Sequence, residues 1–305
     1  MVRNVSEDLL VSTRSGVAEG RHEGEAFDRL LALEDGGTTV AEGPASVASW
    51  VDSSVGREPV LVVVHRQIPA FEHVLRLHRR LAGGLRRAAG PLRLVSFDWS
   101  TASEPLESGE VERARDERVA TVLADSCLVP LVTSLHHIAV FAHGRGAAIT
   151  LRAAARLDNV LPAGVHPDQL LLAAADVPAS WAGQRGAIHK VFRSVVNYRN
   201  PWDCSLSLVG HGGGAPRLGR VGLPLDAPST AVDVDCGDYW STLGRRSMGL
   251  EEEGERDWYF GDPLVARDMA DVLAGVVQPV SRRRDPAGGW VLTRLGLVGA
   301  RAVAR

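Results

Sequence analysis

Lysine is almost absent from this 305-residue chain, where Lys190 stands alone among 34 basic residues. Arginine supplies the remainder, which fits the codon usage of a GC-rich genome and is no signal of phosphate recognition. An excess of positive charge is missing too. The formal net charge is −3, which excludes a general affinity for nucleic acid. Cysteines are few: Cys127, Cys204 and Cys236 are widely spaced and form no C-x-x-C pair. Neither a disulfide framework nor a zinc site is expected. No apolar run approaches the roughly 20 residues that span a bilayer, so no membrane partner is expected. Met1 to Leu10 lacks a basic segment followed by an apolar run, so no secretory signal is expected and the localisation reads as cytoplasmic. The spacing of His and Asp is no metal signature, and no cofactor is expected.

What the chain has is a stretch that organises the rest. Ile138-Ala139-Val140-Phe141-Ala142 is an apolar run that suits a parallel strand covered on both faces. His143-Gly144-Arg145-Gly146 follows as a tight turn, and the segment from Ala147 has helical composition. Strand, glycine turn and helix in this order form the layout of a nucleophile elbow, in which the reactive side chain stands above the sheet. The residue at that place is Gly144, which has no side chain.

The same alternation runs along the chain. Val60 to Val64 is a β-branched central strand, and Ala70 to Ala88 an amphipathic helix rich in Leu and Arg. Leu92 to Trp99 reads as a strand, and Glu110 to Leu131 as a long helix. Gln169 to Ala174, Phe192 to Tyr198 and Ala231 to Asp235 read as further strands. A helix is expected near Trp181 to His189, and another over Pro263 to Val276. Alternation of this kind predicts βαβ units and a mostly parallel, doubly wound sheet in a three-layer α/β/α sandwich. Three segments are expected: residues 1–57 as an extension packed on the sheet edge, 58–278 as the core, and 279–305 as a basic and apolar tail. Sites in such sheets lie beyond the carboxyl ends of the strands. His65, Trp99, His143, Asp176 and Asp203 all fall there.

Several short pieces recur in a telling order. They are Val62-Val63-Val64-His65 with Phe71-Glu72, Phe97-Asp98-Trp99-Ser100, Arg115-Asp116-Glu117-Arg118 and Ala142-His143-Gly144-Arg145-Gly146. Ala174-Ala175-Asp176-Val177, Asn200 to Leu206, Arg217-Leu218-Gly219, Val232-Asp233-Val234 and Trp258-Tyr259-Phe260 follow. Together, over about residues 58–275, they resemble a bacterial esterase/lipase-like family of the α/β-hydrolase superfamily. The resemblance implies an α/β-hydrolase fold with a serine, acid and histidine triad. The family elbow resembles Ala-His-Ser-Met-Gly, so the serine place falls on Gly144. The acid place falls on Asp203. The histidine place, ahead of a Tyr-Phe-like pair, falls on Asp257. The loop that normally opens His-Gly and supplies oxyanion-hole backbone reads His65-Arg66 here.

Triad order points the same way. This fold carries nucleophile, acid and histidine in that sequence. The last histidine of the chain is His211, ahead of the final core strand. A serine mechanism needs a base within hydrogen-bond reach of the hydroxyl, so ordinary acyl-enzyme chemistry is expected to fail.

The leading expectation is a non-hydrolytic pseudoenzyme with a degenerate triad, which binds a small-molecule ligand or a protein partner. The alternative is an enzyme of altered chemistry, a lyase, isomerase, cyclase or atypical hydrolase. Arg66, His143 and Asp203 or Asp257 would then move the proton. A third reading is interaction only, as a homodimer. Arg66, Arg145, Asp176, Asp203 and Asp257 are expected to converge near Gly144. They would form either a charged ligand pocket with His65, Trp99 and His143, or an ion-pair network filling an abandoned cavity. Gly144 and Gly146 read either as an anion site at a helix start or as an inherited turn. Trp99 and Trp202 read as packing or as pocket walls. Cys204 reads as a quiet half-buried thiol, His211 to Gly214 as a flexible loop, and Arg282 to Arg284 as a solvated linker.

Overall fold

The computed structural model describes residues 8–13, 29–34, 39–42, 45–53, 58–68, 70–99, 109–135, 137–184, 186–211, 214–243, 257–286 and 288–294. Eleven strands among them form one sheet. In chain order they are β1 (Asp8–Ser12), β2 (Arg29–Glu34), β3 (Thr39–Glu42), β4 (Val60–Val64), β5 (Arg93–Asp98), β6 (Ile138–His143), β7 (Gln169–Ala173), β8 (Ser194–Arg199), β9 (Ala231–Asp235), β10 (Arg282–Arg284) and β11 (Trp290–Leu292). Their spatial order is β10-β11-β9-β8-β7-β6-β4-β5-β1-β2-β3. From β1 across to β11 every neighbouring pair is parallel, and only β1–β2, β2–β3 and β10–β11 are antiparallel.

Strand β4 shows why the sheet needs cover on both sides. All five of its residues are buried. Val60, Val62 and Val64 enter one apolar cluster, while Leu61 and Val63 enter the other. The two-residue period of a strand divides one continuous apolar run between two faces. The first face is covered by α1 (Val47–Ser53), α3 (Gly109–Val122), α4 (Val129–Ser134), α5 (Gly146–Val160) and α6 (Ile188–Val191). The second is covered by α2 (Phe71–Ala89) and α10 (Pro263–Leu273), with α9 (Gly237–Thr242) beside them. Two further helices, α7 (Cys204–His211) and α8 (Leu218–Val221), follow β8. The result is the α/β sandwich expected from the alternation.

Helix α2 earns its place through one stripe. Val74, Leu77, His78, Leu81 and Leu85 recur at helical spacing and are all fully buried. It ends at Gly90, whose φ of +86° suits a residue without Cβ and whose N–H bonds back to Arg86 O. Between α3 and α4 the helix continues through Leu123–Leu128 with wider i→i−5 bonding, so that Val129 N–H reaches Ala124 O. Pro130, which has no N–H to give, sits just beyond.

Several expectations shift here. Within residues 1–57 the described strands β1 to β3 extend the sheet itself at that edge. The helix expected over Trp181 to His189 is a short 3-10 turn, Ala179–Ala182, followed by α6. Pro178 and Gly183 bracket the turn and prevent a longer helix. The described part of the 279–305 tail is the β10–β11 hairpin, which pairs with β9. Arg282 to Arg284 is therefore strand and not linker, with Arg283 and Arg284 exposed and Arg282 drawn inward. Arg282 is held by buried Asp268, at 2.8 Å from Nε to Oδ1 and 2.6 Å from Nη2 to Oδ2. Tyr198 and Ser281 hydroxyls complete that carboxylate's shell.

Only 4% of the Arg282 side chain is exposed, so its removal leaves a buried charge with two hydroxyls and no cation. Arg282→Ala is expected to cost about 3–5 kcal/mol, as for other broken buried pairs, read as a shift in urea midpoint. A loss below about 1 kcal/mol, the ordinary yield of a surface pair, would contradict this assignment.

Candidate functional site

The turn after β6 is built by two glycines with different tasks. Gly144 has φ +57°, in the left-handed region that side chains disfavour. Its N–H bonds to Ala173 O, and its carbonyl accepts from Asp176 N–H, both at 3.0 Å. The turn is thus clamped to the end of β7. Gly146 begins α5 where a Cβ would stand 2.3 Å from Val64 O and 2.5 Å from His65 O. No side chain fits there, so the helix approaches the end of β4 as closely as backbone permits.

Arg66 occupies the ground beside Gly144. A Cβ on Gly144 would lie 3.0 Å from Arg66 Cβ. The guanidinium then reaches Asp257 in a fork: Nε donates to Oδ1 and Nη2 to Oδ2, each at 3.0 Å. His73 Nε2 donates to the same Oδ2 at 2.9 Å. Asp257 has no exposed side-chain surface, against 26% for Arg66 and 15% for His73. Burial by itself raises the Asp257 pKa. That is the largest single effect, but the Arg66 hydrogen bonds, the Arg66 charge and the neighbouring His143 and His73 rings together outweigh it, and the carboxyl falls below its usual value. For His73 burial dominates and, with Arg66 and Arg76 nearby, lowers the imidazole pKa despite Asp257. The His73–Asp257 contact is therefore a hydrogen bond from a neutral ring at neutral pH, and Arg66 is the cation of the cluster.

Two more histidines stand under this cluster. His65 is buried, stacks on Phe260 with centroids 5.4 Å apart, and its Nε2 lies 3.3 Å from Ser96 Oγ. Burial, then the neighbouring His78 and His143, hold its pKa well below the usual histidine value. His143 is buried edge-on to Phe260 at 5.0 Å and tilted against Tyr259. Tyr259 and Phe260, in the 3-10 turn that carries Asp257, thus lie against the ends of β4 and β6.

The expected convergence of five charged residues holds for two. Arg66 and Asp257 meet beside Gly144. Arg145 instead reaches Asp116 on α3, with Nη2 3.1 Å from both carboxylate oxygens. Asp176 pairs with Arg217 at 3.3 Å, although its backbone touches the Gly144 turn. Asp203 caps α7, its Oδ1 accepting from Leu206 N–H at 2.9 Å. Arg145 and Asp176 are thus paired with other elements, and Asp203 with the start of its own helix. Trp99 is buried and its Nε1 donates to His65 O at 2.7 Å. Trp202 faces outward, 64% exposed. Cys204 is exposed and not half-buried, since it opens the surface helix α7. His211 closes α7, whereas 212 and 213 lie outside the described residues. A cleft of about 260 Å³ opens at the opposite end of the sheet, between Pro59, Leu92, Asp168 and Leu273. No His/Cys/Asp/Glu group among the described residues is arranged to hold a metal ion, and no described helix is long and apolar enough to cross a membrane.

Sequence reasoning missed His73, Phe260 and Ser96. A signal existed for the buried neighbour His78, which interrupts the apolar stripe of α2 and so requires an internal partner.

The low pKa values of His65 and His73 carry a sign. The unfolded chain binds protons at these rings near pH 6.5, and the folded chain does so only at lower pH. Their stabilising effect is complete above pH 6.5 and declines as pH falls below it. The urea midpoint is expected to drop between pH 7 and pH 5, and to drop less steeply in His65→Gln. A midpoint flat across that window would contradict the assignment. Comparison of the chain with protein-family models and with curated proteins finds no match in either case.

Proposed function

We propose that this protein is an α/β-hydrolase-fold pseudoenzyme that acts by binding a protein partner and has lost acyl-enzyme chemistry. The support is positional. A strand, a left-handed glycine turn and a helix follow one another at β6, Gly144 and α5. The loop after β8 carries Asp203, and the place expected to hold a histidine carries Asp257. The observation that bears most weight is Arg66. Its Cβ crowds the space a nucleophile on Gly144 would use, and its guanidinium is spent on Asp257. A site filled by its own arginine favours a scaffold over a small-molecule pocket at that spot.

An altered acid–base chemistry finds support in one pair, His73 on Asp257, a partly exposed ring oriented by a buried carboxylate. It competes poorly because Arg66 already neutralises that carboxylate.

Assay with p-nitrophenyl acetate and butyrate is expected to show no turnover above buffer. Turnover that disappears in Asp203→Asn would refute the proposal. Restoration gives a second measurement. Gly144→Ser with Asp257→His is expected to remain silent, because Arg66 crowds the new serine and loses its anion. Adding Arg66→Gly is expected to raise ester hydrolysis on the order of 10²-fold over the double variant, the scale of one general base. Equal activity in the double and triple variants would show that Arg66 is not the block.

A further inference from the structure

Four buried side chains stand in one hydrogen-bonded row beneath the Gly144 turn. Asp8 Oδ2 lies 3.0 Å from His78 Nε2, His78 Nδ1 lies 2.8 Å from Ser96 Oγ, and Ser96 Oγ lies 3.3 Å from His65 Nε2. None is more than 1% exposed. They come from β1, α2, β5 and the residue that follows β4.

With both rings neutral, bonding capacity places every proton. Asp8 Oδ1 accepts from Arg86 Nη2 at 2.5 Å and from Leu94 N–H at 2.8 Å, so the carboxylate is ionised. It therefore accepts from His78 Nε2–H. A neutral imidazole donates through one nitrogen and accepts through the other. His78 Nδ1 thus accepts from the Ser96 hydroxyl. The Ser96 oxygen in turn accepts from His65 Nε2–H. His65 Nδ1 is left as a bare lone pair, buried and without a hydrogen-bond partner among the described residues. The Asp–His–Ser portion has the bonding order of a catalytic triad. Ser96 is fully buried within β5, so it is no nucleophile.

We propose that Asp8, His78, Ser96 and His65 form a proton relay, which carries a proton taken up at His65 Nδ1 to the Asp8–His78 pair. As the proton binds Nδ1, the His65 Nε2 proton passes to Ser96 Oγ. The original Ser96 hydroxyl proton passes to His78 Nδ1. Three bonds to hydrogen form and two break. His65 ends neutral in its other tautomer, and the added charge rests on His78 beside a carboxylate.

The groups around the row set this direction. His65 faces His73 and His78 of α2, His143 of β6, and Asp257, whose carboxylate is already held by Arg66 and His73. A charge on His65 would be buried with no carboxylate in contact, which is costly. His78 has Asp8 in direct contact, and Arg86 of α2 and Arg93 of β5 also act on that carboxylate. Arg66, next in sequence to His65, is 26% exposed, so the proposed relay takes up its proton through local opening of this loop. The relay therefore links the loop over Gly144 to the β1 side of the sheet.

The test is ¹⁵N-imidazole NMR on the full chain, with His65 and His78 assigned from His→Gln variants. At pH 7.5 both rings are expected as Nε2–H tautomers. On acidification, His78 is expected to become doubly protonated while His65 stays neutral and changes to Nδ1–H over the same pH range. In Ser96→Ala the His65 change is expected to uncouple from His78. The proposal fails if His65 is Nδ1–H at pH 7.5, if His65 itself becomes imidazolium, or if both rings reach random-coil shifts together. The wild-type titration decides the matter alone should Ser96→Ala not fold.

Discussion

A carboxylate cut off from water must be ringed by donors, and Asp257 satisfies that demand with Arg66 and His73. The consequence reaches beyond the pair. Holding Arg66 at Asp257 places its aliphatic stem against Gly144, and a glycine is the residue that leaves room for it. Asp257 also fixes the start of the 3-10 turn that lays Phe260 on His65 and His143. One ion pair thus determines what stands above the turn and which rings lie below it.

The same demand recurs at the margins of the sheet. Asp8 ties β1 to α2 through His78 and Arg86, and to β5 through Leu94 N–H. Asp268 ties α10 to the β10 hairpin through Arg282 and to β8 through Tyr198. Asp116 holds α3 against the start of α5 through Arg145. The apolar clusters bind the layers without direction, whereas each carboxylate accepts donors at set angles. Buried acids therefore fasten peripheral segments in one register. Breaking such contacts is costly because it strands a charge, even where the intact pair adds little net stability.

Much of the architecture was legible. The β-branched run at Val60 to Val64, the apolar run at Ile138 to Ala142 and the stripe of α2 announced their elements by period and composition. Short elements escaped notice. Strands β10 and β11 have three residues each, too few for alternation to register, and three successive arginines read as a solvated stretch. The site was legible in part. Gly144, Arg66 and Asp257 were expected to lie together, and they meet in space. Arg145, Asp176 and Asp203 looked equivalent to Arg66 and Asp257 in the chain, yet each is held by a different group: Asp116, Arg217 and the start of α7.

By itself, the sequence determined the parallel sheet with helices on both faces, because burial of continuous apolar runs follows from composition and period. It also determined that no side chain stands at Gly144, and that no histidine follows His211. Only the tertiary structure decided which charge meets which. Arg66 and Asp257 lie 191 positions apart, and Asp8 and His78 lie 70 apart. A hydrogen bond depends on a few tenths of an ångström and on angle, and neither quantity exists until the strands are in register.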